Sequence, residues 1–151
     1  MTARAIRHTQ TEGAVMAVPP YEPPPRRCEV WQLPGRSRWS PHEARTRVVE
    51  MCQRWGLAGP TADDLALIVS ELTTNAVVHA PSDTICVQVT LNEHEAHVVV
   101  VDRGPHPAFV AKQPDNDEHG RGLCLVEALA DRFVSMSAGD GTLAWASMNL
   151  A

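Results

Sequence analysis

Apolar residues recur along this chain at two different periods, and the switches between them divide it into elements. Ala44, Val48, Met51, Cys52 and Trp55 fall at helical spacing. Ser40 is placed to cap that helix, Pro41 sits at its first helical position and Glu43 can close a capping box. Gly56 supplies the stop. A second helix, beginning near Ala62 with Thr61 as its cap and Asp64 three residues on, runs to the barrier set by Pro81. Its apolar line is Leu65, Ile68, Val69, Leu72 and Ala76. Beside that line, Glu71, Asn75 and His79 are spaced four apart, so they fall along one side of the helix. A carboxylate and an amide are thereby set at the border of an interior.

The remaining elements follow the two-residue period of strands. Residues 28–33 alternate weakly around Val30, Trp31 and Leu33, as a short edge strand would. Residues 84–91 alternate strictly, with Ile85, Val87, Val89 and Leu91 on one face, and Asn92 to Glu95 make a hairpin turn. The returning strand, residues 96–101, carries Val98, Val99, Val100 and Val101; apolar on both faces, it belongs in the middle of a sheet. It ends at Asp102-Arg103-Gly104-Pro105. Residues 105–119 show no periodicity, and a loop of about fifteen residues in a compact domain is functional or disordered. Gly120-Arg121-Gly122 then leads into a helix over residues 123–130. Strands at 132–137 and 142–148, joined by Gly139-Asp140-Gly141, close the chain. This order predicts an α+β fold: a two-layer α/β sandwich with three helices covering one face of a mostly antiparallel sheet.

Composition narrows the function classes. The chain has 151 residues, 44% hydrophobic and 21% charged, as expected of a single globular domain. Its formal net charge of -5, with no basic stripe, argues against direct contact with nucleic acid. No signal-peptide pattern and no run long enough to span a membrane is visible, which places the expectation in the cytoplasm. Cys28, Cys52, Cys86 and Cys124 form no close pair, and their apolar neighbours suggest buried, reduced thiols. His94 and His97 lack a third ligand nearby in sequence and carry little weight as a metal site. Residues 1–27 are rich in proline and read as a disordered tail ahead of one domain over 28–151.

Three short patterns carry chemistry. Glu71 and Asn75 offer a general base and an oxygen ligand for a hard cation. Asp102, at a strand end, can accept a hydrogen bond from an exocyclic amine, and Gly104 lets the backbone approach a ring closely. Gly120-Arg121-Gly122-Leu123, at a helix start, can present backbone N–H groups and a positive dipole end to phosphates. Each alone has an ordinary explanation: a solvated helix flank, a turn, a hinge.

In this order the three resemble the GHKL (Bergerat-fold) ATPase superfamily, and in detail the anti-sigma serine/threonine kinases of the RsbW type. The likeness rests on Ser70-Glu71-Leu72-Thr73-Thr74-Asn75-Ala76-Val77-Val78-His79-Ala80, on Asp102-Arg103-Gly104, and on Gly120-Arg121-Gly122-Leu123 with the helix that follows. It implies Mg²⁺-ATP as cofactor, with Asn75 as the Mg²⁺ ligand and Glu71 as the catalytic base. Asp102 and Gly104 would meet adenine, residues 105–119 would form the ATP lid, and Gly120, Arg121, Gly122 and Leu123 would hold phosphate. One departure is His106, where many relatives carry a second glycine. The resemblance further implies phosphorylation of an anti-anti-sigma (STAS-type) protein, sequestration of a sigma factor, and a homodimer as a further assembly. The alternative from another class is a non-catalytic module that sequesters a sigma factor or another regulator.

Overall fold

A computed structural model of the chain describes residues 27–79, 82–103, 118–138 and 141–150. Within them the elements run β1 (Arg27–Pro34), α1 (Ser40–Trp55), α2 (Pro60–His79), β2 (Thr84–Leu91), β3 (Glu95–Arg103), α3 (Glu118–Leu129), β4 (Arg132–Ala138) and β5 (Gly141–Asn149). The five strands form one antiparallel sheet in the order β1-β2-β3-β5-β4. The fold is the expected α+β sandwich. The valine-rich strand is central, and the segment read as an edge strand lies at one edge.

Strand alternation decides what the sheet buries. Trp31 and Leu33 on β1, Ile85, Val87 and Val89 on β2, Ala96, Val98 and Val100 on β3, and Ala146 and Met148 on β5 all turn into the core. They meet Ala44, Val48, Met51 and Cys52 of α1, the predicted row Leu65, Ile68, Val69, Leu72 and Ala76 of α2, and Val126 of α3. Burying a side chain of this size contributes roughly 1.5–3 kcal/mol, so this two-layer contact dominates the stability. α2 is the hub, packing on α1, α3, β2, β3 and β5.

The helix starts differ from the sequence reading. Ser40 is the first residue of α1 rather than its cap; Trp39 holds the cap position without a side-chain bond. The Ser40 hydroxyl instead donates to the Pro34 carbonyl at 2.5 Å, tying the helix to the end of β1. Glu43 does not close a capping box, because its carboxylate takes Arg47 one turn on, at 2.7 Å. α2 likewise begins at Pro60, which places Thr61 inside the helix rather than at its cap. A proline at the first position needs no donor partner, so the helix extends back to it. The stop was legible: Gly56 is left-handed at φ 71°, and its N–H and that of Leu57 take the Gln53 and Cys52 carbonyls. Asn92 folds the β2–β3 turn by accepting from the N–H groups of His94 and Glu95 at 2.8 and 2.7 Å.

The thiols divide. Cys52 is buried, and burial pushes its pKa up. Cys28 and Cys124 are exposed, against the expectation of buried cysteines, because they fall on the solvent-facing positions of β1 and α3. A thiol-specific reagent at mildly alkaline pH is therefore expected to label Cys28 and Cys124 within the mixing period and Cys52 only after denaturation, read by peptide mass spectrometry.

The loop after β1 is pinned to the start of β2. Gly35 donates to the Asp83 carbonyl at 3.1 Å, and a Cβ built on Gly35 would lie 2.1 Å from the Ser82 carbonyl oxygen. Backbone cannot yield as a side-chain tip can. Gly35→Ala is expected to cost about 3 kcal/mol, measured as a lowered urea midpoint.

Candidate functional site

The middle of α2 and the ends of β3 and β5 build the site. Glu71 and Asn75 are both half-buried, one turn apart, beside the buried Leu72 and Ala76. That is the border position the spacing implied. The Nδ2 atom of Asn75 is buried and has no hydrogen-bond partner. A buried amide nitrogen without a partner costs about 1–3 kcal/mol, so it marks a place where a polar ligand belongs. His79, the third member of the row, lies exposed in the last turn of α2.

Asp102 is 1% exposed. It shares the parity of Val98 and Val100 on β3, so it faces the helix layer and α2. Its Oδ2 accepts a hydrogen bond from the Thr142 hydroxyl, from the residue directly opposite on β5. Burying a carboxylate is unfavourable unless it is bonded, and Thr142 supplies part of that bonding while fixing the rotamer. Thr142 is the site residue that sequence reasoning missed. The β3–β5 pairing joins residues 40 apart in sequence across an intervening helix. No turn geometry reveals such a register, and the sole available signal was a polar residue at the start of the strand.

Gly120, Arg121 and Gly122 lie in the first turns of α3 rather than ahead of it, since the helix starts at Glu118. Leu123 is partly buried and packs against the core. α3 packs on α2, the helix that carries Glu71 and Asn75. Gly104, residues 105–117 of the expected lid, and residues 1–26 lie outside the described residues.

The described residues thus offer an amide and a neighbouring carboxylate on α2, a buried carboxylate at the end of β3 and the N-terminal turn of α3. The donor set suits a purine nucleotide with Mg²⁺. Asp102 offers an acceptor to an amine, and α3 offers backbone N–H groups to phosphate. Asn75 offers a neutral oxygen to a hard cation that arrives already bound to phosphates. Among the described residues no cluster of three or more His, Cys, Asp or Glu side chains could hold a metal ion by itself.

Comparison with known proteins agrees with the fold. Residues 38–148 match the model of the histidine kinase-like ATPase domain. The fold is similar to that of the RsbU and RsbW domains of Rv1364c from Mycobacterium tuberculosis, with a TM-score of 0.61 and 21% identity. That match covers 80% of this chain and 32% of the other. It is also similar to the SiaB–SiaC complex from Pseudomonas aeruginosa, with a TM-score of 0.58, 13% identity, and coverage of 82% and 89% of the two chains. No curated protein sequence matches the chain.

Proposed function

Because the chain belongs to the histidine kinase-like ATPase domain family, we propose that it is an ATP-binding, anti-sigma-type regulatory serine/threonine kinase. In this reading it phosphorylates an anti-anti-sigma, STAS-type partner, sequesters a sigma factor, or does both. Two observations support it: the buried Nδ2 donor of Asn75 lacks a partner, which suits an acceptor such as a phosphate oxygen, and the carboxylate of Asp102 is buried and bonded by Thr142. The motif likeness to RsbW-type kinases supports the same reading, as does the shared fold of a structure containing an RsbW domain. The SiaB–SiaC structure, a complex with a second protein, supports a protein substrate rather than a small molecule.

Each residue has a distinct task. Asp102, its rotamer set by the Thr142 hydroxyl, would accept the adenine amine. Asn75 would hold Mg²⁺ through its side-chain oxygen, and the bound ion would supply neutralisation of phosphate charge. The free N–H groups of the N-terminal turn of α3, which contains Gly120, and the Arg121 side chain would hold the phosphates. Glu71 takes the proton from a serine or threonine hydroxyl as its oxygen bonds to the γ-phosphorus and the bond to the β,γ-bridging oxygen breaks, releasing ADP. Phosphoryl transfer asks for positioning and charge stabilisation more than for covalent help, which suits so small a set of groups.

The test is incubation of the full chain with γ-labelled ATP, Mg²⁺ and STAS-domain proteins encoded by the same genome. Label on a serine or threonine of one of them is the expected result. ATP binding without label on any of them would favour the sequestering module over the kinase. Among the described residues no helix is long and apolar enough to cross a membrane.

A further inference from the structure

The two edges of the sheet are protected unequally. A sheet edge presents unpaired N–H and C=O groups, and natural proteins blunt it with charge, proline or cover. β1 has such devices: Arg27 at one end, Pro34 at the other, and Glu29 held at 2.6 Å by Arg54. β4 carries one charge, at its first residue, and no proline, and its register with β5 runs unbroken from Arg132 to Ala138. Arg132 is already engaged, donating to Glu95 at 2.7 Å and to Ser147 at 3.1 Å. Val134 and Met136 are 38% and 39% exposed, on the face of the sheet away from the helices. Among the described residues no strand pairs with the outer side of β4. Such an edge calls for a cover, and the chain carries a segment of the right kind ahead of β1. Residues 14–18, outside the described residues, read Ala14-Val15-Met16-Ala17-Val18, with neither charge nor proline, between Gly13 and Pro19.

We propose that residues 14–18 cover this edge from within the same chain, adding a sixth strand antiparallel to β4. The length of the intervening spacer supports it. Pro19 to Arg26 is eight residues with five prolines, and an extended proline-rich chain of that length spans about 25 Å at ~3.1 Å per residue. The distance from β1 to a position beyond β4 is that of five strand spacings, or about 24 Å. The row that begins at Arg27 passes Leu91, Ala96 and Met148 and comes out at the Arg132 end of β4. Helices cover the other face, so the spacer crosses the open one. Val18 thereby arrives beside Arg132, and the run leads back from there toward Ala138. Its direction is then opposite to that of β4, in keeping with a sheet that is antiparallel throughout. Every position of the run is apolar, so either register parity sets an apolar side chain beside Val134 and Met136. Pro19, which cannot donate to a ladder, ends the added strand. The tether also favours this occupant over a free one, because a strand linked by so short a spacer meets its site at an effective concentration on the order of 1 mM. The proposal does not depend on nucleotide binding or on kinase activity.

Backbone amide exchange in the full chain, at concentrations far below millimolar, tests it against the double variant Val15→Pro with Met16→Pro. The two prolines are adjacent, so one of them removes a bonded N–H in either register. The outward-facing amides of β4 are expected to exchange at least tenfold more slowly in the wild type than in this variant. Unchanged far-ultraviolet circular dichroism establishes that the variant keeps its fold. Equal exchange in the two proteins overturns the proposal, whether the edge is open in both or covered in both by something else. Cross-linking then identifies the occupant. With Cys28→Ser and Cys124→Ser as background, Ala17→Cys and Ser135→Cys are expected to be bridged within one chain by a short bis-maleimide. The bridging is expected to be at least tenfold faster than in the same protein carrying the two prolines. Bridging between chains alone would place a second copy on the edge and overturn the proposal, as would an intrachain rate indifferent to the prolines.

Discussion

Asp102→Asn is expected to weaken ATP binding by about 100-fold or more while leaving the fold intact. The two side chains have the same shape, and the asparagine oxygen can still accept from Thr142 as Asp102 does. That bond orients the amide, and the position offered to the adenine amine becomes an NH₂ group. Donor then faces donor in a site where the native residue is 1% exposed. A hydrogen bond to a charged acceptor is lost, worth about 1.5–3 kcal/mol, and two donors are left crowded away from water. Calorimetric titration with ATP reads the loss, and thermal unfolding without nucleotide checks that the variant is folded. Undiminished affinity would remove Asp102 from the adenine contact. Thr142→Val provides a graded companion: the carboxylate stays, its fixed rotamer does not, and a smaller loss of affinity is expected.

How much of this was legible in the sequence depends on the range of the interaction. Periodicity located every element, because it records whether a side chain meets the core, and the core makes the largest energetic demand. The rows on α1 and α2 and the central place of β3 were all readable on that ground. The Glu71–Asn75 pair was readable too, since both residues lie on one helix and their separation fixes their relation. Helix starts were less legible, because they depend on competition. Ser40 resembles a cap by type, yet the Pro34 carbonyl offers its hydroxyl a better partner than the helix does. The exposed thiols were misjudged for a related reason: apolar neighbours along the chain do not reveal which side of a strand or helix a residue takes. The Thr142–Asp102 bond was least legible, because it rests on the pairing of strands that are not consecutive. The motif order joined helix, strand end and glycine turn into one site, but only the fold supplies the residue that holds the aspartate in place.

Glu71→Gln separates the two functional readings most sharply. If Glu71 is the base, the substitution keeps shape and hydrogen bonding but removes the capacity to take a proton from the attacking hydroxyl. General-base assistance is worth about 10²–10⁴ in rate, so transfer to the partner's free hydroxyl is expected to fall by about 10³. ATP affinity is expected to stay within about threefold, because the base touches the acceptor hydroxyl rather than the nucleotide. The position allows this separation: Glu71 is half-buried at the rim of the core, one turn before Asn75, and its neighbours Leu72 and Thr73 hold the helix without it. Single-turnover transfer of label from ATP measures the rate, and calorimetry measures the affinity. Loss of both together would make Glu71 part of nucleotide binding instead of proton transfer. Retained transfer would take the base from Glu71 altogether. A sequestering module requires no base, so a large fall in rate at constant affinity is the result that only a kinase produces.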